Sequence, residues 1–350
     1  MKAPLISICL PNLNTRPFLE ERMETLLAQT FRDWELIISD NFSDDGSWEF
    51  FQKFKDDPRV RLSQAPRCGM YANWNECLRR AQGKYLYVAT SDDTASPELL
   101  ERLVAPLERS PDIQLAYCDF EAIDEQSKPL ATPVHTPQLA LYGEWMKVPC
   151  IRDGKTEFLH AACVGPTWWT MTSVLFHRDL LGHTGWFRTD QGSQADYEWA
   201  LRAALTTDMI FVPGRMATWR RRQGQGTPLE MKPRYYRTMV DILNAVLRDG
   251  HAGVPAAWKT VPAWDREISG ALRAFYLGSF GLWRRMALND PWKFLKNLGV
   301  ALRMEPALVA RQTLRAFAWS EDFQVDNVEW ARRLVKLFNA AWPPRRLPEG

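Results

Sequence analysis

The chain has 350 residues, with 46% apolar and 25% charged residues, which is typical of a folded globular protein. Its net charge of +2 hides an asymmetry, because residues 1–230 carry 25 Lys and Arg against 31 Asp and Glu, whereas residues 231–350 carry 19 against 11. This pattern predicts an acidic catalytic part and a basic appendage with a different partner, and the absence of a nucleic-acid-binding motif argues against a nucleic-acid partner.

The first 120 residues alternate strand-like and helix-like segments. The strand candidates, short and rich in β-branched and aromatic residues, are Leu5–Leu10, Trp34–Ser39, Val60–Ser63, Lys84–Thr90 and Ile113–Cys118. Segments with apolar residues at helical spacing lie between them. This order predicts an α/β fold, Rossmann-like, with a mostly parallel sheet flanked by helices. In such sheets ligands bind beyond the carboxyl ends of the strands.

After residue 120 the sequence predicts fewer secondary-structure elements. We expect a strand over residues 167–177, a helix over 193–205, and a closing pair of strands over 209–214 and 216–222. From about Pro228 the chain becomes helical, basic and rich in Trp. The sequence therefore predicts one unit over residues 1–227 and a separate helical region over 228–350.

Two adjacent carboxylates, Asp92 and Asp93, end the strand of "YLYVATSDDT". One interpretation is the start of the next helix, where Asp caps the helix and interacts favourably with its dipole. The other is a site for Mg²⁺ or Mn²⁺, which prefer hard oxygen ligands and use one or two carboxylates together with substrate phosphates. A bound cation would offset the repulsion between the two aspartates.

Three further groups carry polar chemistry. Asp40 and Asn41 follow an apolar strand, where they form part of a polar loop or contact the edge of a nucleobase. Asp196 in the first turn of a helix is explained by the helix dipole, or it accepts a proton from an attacking hydroxyl. Arg220 and Arg222 share one face of a strand, which suits either a diphosphate or a solvated edge.

Taken in order, these segments resemble the inverting family-2 glycosyltransferases with the A-type nucleotide-sugar-binding fold. The likeness rests on "PLISICLPNLN", "LLAQTFRDWELIISDNFSDDGS", "NWNECLRRAQGKYLYVATSDD" and "GWFRTDQGSQADYEWALR", and it covers roughly residues 4–227. The resemblance implies nucleotide-sugar binding over residues 1–120 and an acceptor side over 121–227. It implies transfer from a nucleoside-diphosphate sugar to a saccharide or lipid-linked acceptor, in bacterial surface polysaccharide synthesis.

The resemblance also implies roles for individual residues. Asp93 would coordinate Mn²⁺ or Mg²⁺ on the donor diphosphate, Asp92 would contact the ribose or share the metal, and Asp196 would be the general base. The remaining nucleotide-sugar contacts would be Pro11, Leu13, Asp40, Asn41, Asn73, Arg220 and Arg222.

Three positions depart from the family pattern. Leu13 stands where a base-stacking Tyr is usual, Asn41 where a second Asp is usual, and Ala195 where an acid commonly precedes the catalytic Asp. The first two leave the donor nucleotide open. An alternative from another class is a catalytically silent nucleotide-sugar-binding or scaffold subunit, against which the retention of Asp92, Asp93 and Asp196 argues.

The tryptophans and the tail suggest contacts with other partners. Of Trp168 and Trp169 we expect one in the core and the other as a platform for the acceptor sugar. The segments 282–304 and 330–342 mix Trp and Leu with Lys and Arg, which predicts helices that pack on the catalytic part or lie on an anionic membrane.

The sequence also bears on where the chain is found. The six cysteines lack regular spacing and fit a reducing cytoplasm, the N-terminus lacks a signal peptide, and no apolar run is long enough to span a membrane. We therefore expect a cytoplasmic enzyme, peripheral on the inner membrane if the basic helices bind lipid.

Overall fold

A nine-stranded sheet forms the centre of the molecule in the computed structural model, which describes residues 3–130, 142–163, 167–168, 170–222, 225, 238, 242, 245–246, 290–304 and 343–348. The strands are β1 (Ile6–Asn12), β2 (Trp34–Asp40), β3 (Val60–Gln64), β4 (Tyr85–Val88), β5 (Leu115–Ile123), β6 (Cys150–Arg152), β7 (Val174–His177), β8 (Met209–Arg220) and β9 (Arg345–Arg346). Their spatial order is β3-β2-β1-β4-β7-β5-β8-β6-β9.

The sheet is mixed. Strands β3, β2, β1 and β4 pair in parallel, as do β5 and β8, whereas β7 runs antiparallel to both of its neighbours and β6 to β8 and β9. The parallel half is the part that the alternating sequence predicts. Every residue of strands β1 and β2 is buried, as expected for strands covered on both faces.

Helices cover both faces of the sheet. They are α1 (Leu19–Leu27), α2 (Ser47–Phe51), α3 (Met70–Arg80), α4 (Leu99–Arg109), α5 (Gly154–Cys163), α6 (Leu180–Thr184), α7 (Ala195–Thr206) and α8 (Pro291–Met304). The buried apolar residues form two clusters, one around Tyr71, Trp74 and Trp199 and the other around Leu26, Leu103 and Tyr87. Burial of apolar surface on both faces holds the strand ends, and the loops that follow them, in place.

The predicted closing pair of strands is a single strand. Strand β8 continues through Pro213 and Gly214, and its pairing with β5 shifts register next to Asp119. Gly214 has φ +123°, which glycine adopts readily, so the chain can bulge at this point without leaving the sheet.

The C-terminal region is not purely helical within the residues that the structure describes. Strand β9 extends the catalytic sheet beside β6, and Ile242 and Val246 are buried in the first core cluster. These positions pack on the catalytic part. The predicted helix over residues 330–342 and the predicted boundary at 227/228 lie outside the described residues. Among the described helices, none is both long enough and apolar enough to cross a bilayer.

Candidate active site

A cleft of about 310 Å³ opens where the strands of the parallel half end. Strand β1 contributes its last residues, the loop after β4 contributes the two aspartates, and β8 contributes its carboxyl end. The lining residues are Pro11, Asn12, Leu13, Thr15, Asn41, Met70, Tyr71, Asn73, Trp74, Thr90, Ser91, Asp92, Asp93, Thr170, Met171, Asp196, Trp219, Arg220, Arg222 and Gln225. Most of the predicted site residues therefore meet in one place, as the position of a ligand site in such sheets requires.

Asp40 is the predicted residue that lies beneath the cleft instead of lining it. It is fully buried, and its Oδ1 accepts hydrogen bonds from Asn12 Nδ2 at 2.7 Å and Ser43 Oγ at 2.6 Å. Its Oδ2 accepts from the Ser43 backbone N–H at 2.9 Å. Both carboxylate oxygens thus bond the protein itself in this structure, and a contact of Asp40 with the base stays a prediction. Its role here is to join the ends of β1 and β2.

Asn41 and Asn73 line the cleft, and their amide nitrogens are bonded to backbone carbonyls. The Asn41 amide nitrogen donates to the carbonyls of Ala65 and Pro66, both at 3.0 Å, which fixes the orientation of the amide. The amide nitrogen of Asn73 donates to Ser39 O at 2.9 Å, and its buried Oδ1 has no hydrogen-bond partner among the described residues. A ligand that offers an N–H or O–H group would satisfy these oxygens.

The carboxylate of Asp93 lies in a cradle of hydroxyl groups. Its Oδ2 accepts hydrogen bonds from Thr90 at 2.6 Å, Thr170 at 2.7 Å and Thr172 at 3.1 Å. Its Oδ1 accepts from the backbone N–H of Arg220 at 2.8 Å. These four donors come from three separate segments of the chain, so the carboxylate is fixed at the point where β4, β7 and β8 meet.

The environment of Asp93 opposes its charge. Burial, followed by the adjacent negative charge of Asp92, raises the pKa of Asp93 to about 6, although hydrogen bonds from Thr90, the Arg220 N–H and Thr170 act in the other direction. A nearby cation would favour the ionised form.

Arg220 and Arg222 differ in burial and in their hydrogen-bond partners. Arg222 Nε donates to Asp92 Oδ2 at 2.7 Å, and both side chains are 19% exposed, so this pair lies at the cleft wall. Asp92 Oδ1 has no hydrogen bond within the part of the chain that the structure describes. Arg222 is therefore placed where it can contact an anionic ligand bound beside the aspartates.

Arg220 is buried, and its guanidinium is committed to the protein. Its Nε donates to the Asp92 carbonyl at 2.5 Å and its Nη1 to the Asp124 carbonyl at 2.9 Å and to Ser127 Oγ at 3.0 Å. Its Nη2 pairs with Glu21 at 2.7 Å. Arg220 lines the cleft, but its side chain bonds the protein in this structure, and a contact with the diphosphate stays a prediction. The residue ties the aspartate loop to α1 and to the turn after β5.

Asp196 lines the cleft from the first turn of α7. Its Oδ1 accepts the Tyr197 N–H at 2.8 Å. Burial raises the pKa of Asp196, while hydrogen bonds from Tyr197 and the Tyr71 hydroxyl oppose the rise. A partly exposed carboxyl with a raised pKa is suited to accepting a proton from a bound hydroxyl.

Trp168 and Trp169 are the two candidates for the predicted acceptor platform, and the structure describes only Trp168. Trp168 is 5% exposed and packs against the ring of Tyr117, with centroids 5.3 Å apart, so it belongs to the core and not to the cleft. Trp169 lies outside the described residues, and its role stays a prediction.

Several lining residues escaped the sequence analysis. Thr90, Thr170 and Thr172 surround Asp93, Tyr71 contacts Asp196, and Trp74 adds an aromatic wall. Thr90 lies within the quoted strand beside the aspartates, which is a weak signal. Trp74 lies in the quoted segment "NWNECLRRAQGKYLYVATSDD", directly after Asn73, which is a similar signal. Tyr71, Thr170 and Thr172 lie outside the quoted segments, and nothing in their local pattern links them to the site.

The residues present fit a divalent cation that completes its coordination with substrate oxygens. The described residues contain no group of three or more His, Cys, Asp or Glu that would hold a metal by itself. Asp92 and Asp93 offer hard oxygens at the cleft surface, and Mg²⁺ commonly binds through one or two carboxylates plus substrate phosphates.

Comparison with known proteins shows similarity to glycosyltransferases over the N-terminal half of the chain. Residues 7–178 match the model of the family described as "Glycosyl transferase family 2". The "Putative teichuronic acid biosynthesis glycosyltransferase TuaG" of Bacillus subtilis is 30% identical over 147 residues, which cover 41% of this chain and 58% of that relative.

Solved structures agree on the fold. Staphylococcus aureus TarS 1–349 in complex with UDP-GlcNAc superposes with a TM-score of 0.61 at 14% identity, over 96% of this chain and 92% of that TarS fragment. The mannosyltransferase PcManGT of Pyrobaculum calidifontis, in complex with GDP-Man and Mn²⁺, gives a TM-score of 0.53 at 17% identity, over 98% and 88% of the two chains.

Proposed function

Because residues 7–178 match the model of glycosyl transferase family 2, we propose that this chain transfers a sugar, with inversion, from a nucleoside-diphosphate sugar to a saccharide or lipid-linked acceptor. The observation that carries the proposal is one cleft lined by Asp92 and Asp93 together with Asp196. A donor site and a proton acceptor have to share a cavity for a single displacement to occur.

The donor would lie along the carboxyl ends of the parallel strands. The fixed amide of Asn41 leaves its Oδ1 as an acceptor for a nucleobase N–H, and Asn73 Oδ1 offers a second acceptor deeper in the cleft. Pro11 and Leu13 provide apolar contact at the same end. Arg222 would turn from Asp92 to the diphosphate, because a bidentate cation suits phosphate oxygens.

Asp93 and Asp92 would hold a divalent cation, Mn²⁺ or Mg²⁺. When bound, such an ion stabilises negative charge on the departing nucleoside diphosphate. The hydroxyl cradle keeps the Asp93 carboxylate in one orientation, which limits the reorganisation needed on binding.

Asp196 would deprotonate the acceptor hydroxyl as that oxygen attacks the anomeric carbon. The bond to the leaving diphosphate breaks as the new bond forms, so one displacement inverts the configuration. Tyr71, which hydrogen-bonds Asp196, would orient the carboxylate.

The name of the relative TuaG supports a role of this chain in surface polysaccharide synthesis. UDP-GlcNAc and GDP-Man, the nucleotide sugars bound in the two structural neighbours, are the donors to test first. We propose a location on the cytoplasmic side, where nucleotide sugars are made.

The decisive experiment compares Asp196→Asn with Asp190→Asn. Asp190 is close in sequence but exposed and paired with Arg188, so its variant controls for charge removal in this segment. We expect Asp196→Asn to abolish sugar transfer, measured as nucleoside diphosphate release, while donor binding by calorimetry persists. Full turnover in that variant would refute the role of Asp196. Donor binding without turnover in the wild type, over a broad acceptor panel, would favour a catalytically silent subunit.

A further inference from the structure

Helix α8 exposes an apolar stripe. Trp292 is 82% exposed, Leu295 55% and Leu302 41%, and Gly299 is exposed between them. At about 100° per residue these four positions fall within an arc of about 80° on the helix surface. A large apolar side chain such as Trp292, exposed to this degree, marks an interaction surface when its apolar neighbours line up with it.

The same helix has a second, buried face. Phe294 is 8% exposed and Leu298 is partly buried. At about 100° per residue these two positions lie beside the exposed stripe and not within it. The buried face of α8 is therefore distinct from the stripe.

The charge of the helix indicates its partner. Its sequence contains Lys293, Lys296 and Arg303 and no acidic residue, and residues 231–350 together carry 19 Lys and Arg against 11 Asp and Glu. Lys296 is exposed beside Trp292 on the helix surface. A second copy of this chain would bring like charges together, whereas an anionic lipid surface offers both opposite charge and an apolar layer.

We propose that α8 binds the surface of an anionic membrane, with Trp292, Leu295 and Leu302 inserted at the boundary between headgroups and acyl chains. An amphipathic helix with Trp and Leu on one face and flanking Lys and Arg binds in this way, parallel to the membrane plane. The proposal is independent of the transferase chemistry, because no residue of α8 lines the cleft.

The test uses the full chain and vesicle flotation. Wild-type protein is mixed with vesicles of phosphatidylcholine alone or of phosphatidylcholine with phosphatidylglycerol, at low and at raised salt. We expect flotation with the anionic vesicles and a fall with salt, because the lysine contribution is screened. Failure of the wild-type protein to float with anionic vesicles at low salt would overturn the proposal.

Variants distinguish membrane binding through the apolar stripe from nonspecific adsorption to vesicles. The double variant Trp292→Gln with Leu295→Gln should lower the partition coefficient about tenfold or more, since each apolar side chain withdrawn from the lipid costs burial free energy. Lys296→Gln should lower it about fivefold and flatten the salt dependence. Trp186→Gln, which removes an exposed Trp elsewhere (40% exposed), should leave flotation unchanged.

If another part of the chain or a second copy covers the stripe, the variants should behave differently. If the double variant instead lowers the melting temperature by several degrees, the chain itself covers the stripe and the membrane proposal fails. If the variant abolishes concentration-dependent association in light scattering while flotation persists, the stripe is an interface between two copies, and the proposal fails as well. Donor hydrolysis in the absence of vesicles should be unchanged in every variant, so a failure of the proposed transferase function would be seen separately.

Discussion

Arg220 and Arg222 are two residues apart, yet the structure predicts opposite consequences for their replacement by Gln. Arg220 is 2% exposed and bonds groups of the protein in three segments, whereas Arg222 pairs with Asp92 at the cleft wall. Gln keeps part of the length and polarity of the side chain and removes the charge. The pair of variants therefore separates folding stability from ligand binding.

The loss of stability for Arg220→Gln can be worked from its contacts. The carboxylate of Glu21 is 43% exposed, so water can solvate it and the ion pair contributes little. The carbonyls of Asp92 and Asp124 are part-buried and lose their donors, at about 1–3 kcal/mol each. We expect a total of about 2–4 kcal/mol, because Gln recovers part of the hydrogen bonding. With an unfolding entropy of about 2.1 cal/mol/K per residue, the melting temperature of this 350-residue chain should then fall by roughly 3–6 °C.

The matched variant Arg222→Gln removes a pair whose side chains are both 19% exposed. Such a pair is worth at most about 1 kcal/mol, so the melting temperature should change by less than about 2 °C. Its affinity for a nucleoside diphosphate should fall about tenfold or more, since hydrogen bonds to charged groups contribute about 1.5–3 kcal/mol.

The assays are thermal unfolding followed by circular dichroism and calorimetric titration with UDP and GDP in the presence of Mn²⁺. The reasoning is refuted if Arg220→Gln keeps the wild-type melting temperature and loses nucleotide affinity, because the guanidinium would then contact the ligand and not the protein. It is also refuted if Arg222→Gln unfolds the chain and Arg220→Gln does not.

Three more outcomes follow from the site. Since burial raises the pKa of Asp196 and the carboxylate must be ionised to accept a proton, the rate should fall as pH decreases through a value above the ordinary Asp pKa of about 3.9, measured as kcat/KM against pH. Thr172→Val should weaken metal-dependent nucleotide binding by about 1 kcal/mol, roughly fivefold, because the cradle loses its bond to Asp93, while Thr30→Val, whose hydroxyl bonds the exposed Glu101, should not. Chelation of divalent metal should reduce nucleotide affinity in calorimetry but leave the melting temperature of the nucleotide-free chain unchanged; equal affinity with and without chelator would contradict the roles of Asp92 and Asp93.

Much of the fold follows from local patterns in the sequence. Each of the first five strands overlaps its prediction, and α1, α3, α4 and α7 form where apolar residues recur at helical spacing. These elements are decided locally because periodicity specifies which face is buried. Strand β8 was predicted as two strands because Pro213 and Gly214 signal a turn, but pairing with β5 keeps the chain extended on both sides of the bulge. Strand β9 has only two residues, and its conformation is decided by the sheet edge that it joins.

The site was predictable in part. Residues adjacent to strand ends, such as Asn41, Asp92 and Asp93, lie in the cleft because the carboxyl ends of parallel strands meet at one edge. Asp40 occupies an equivalent sequence position, yet its side chain points to Asn12 and Ser43. A one-residue step along a strand end reverses the side-chain direction, and loop contacts decide the rest.

By itself the sequence determined the order of strands and helices, the placement of polar residues beyond the strand ends and the family resemblance, because these depend on periodicity and on motifs within short segments. Only the tertiary structure decided which arginine bonds the protein with its buried guanidinium and which lies at the cleft wall, which tryptophan is core, and that hydroxyls from Thr90, Thr170 and Thr172 converge on Asp93. Most of these contacts join residues that are far apart in the sequence, as between Asp93 and Thr170, which are 77 positions apart. No local pattern encodes such contacts, since they form only when the sheet brings the separate strand ends together.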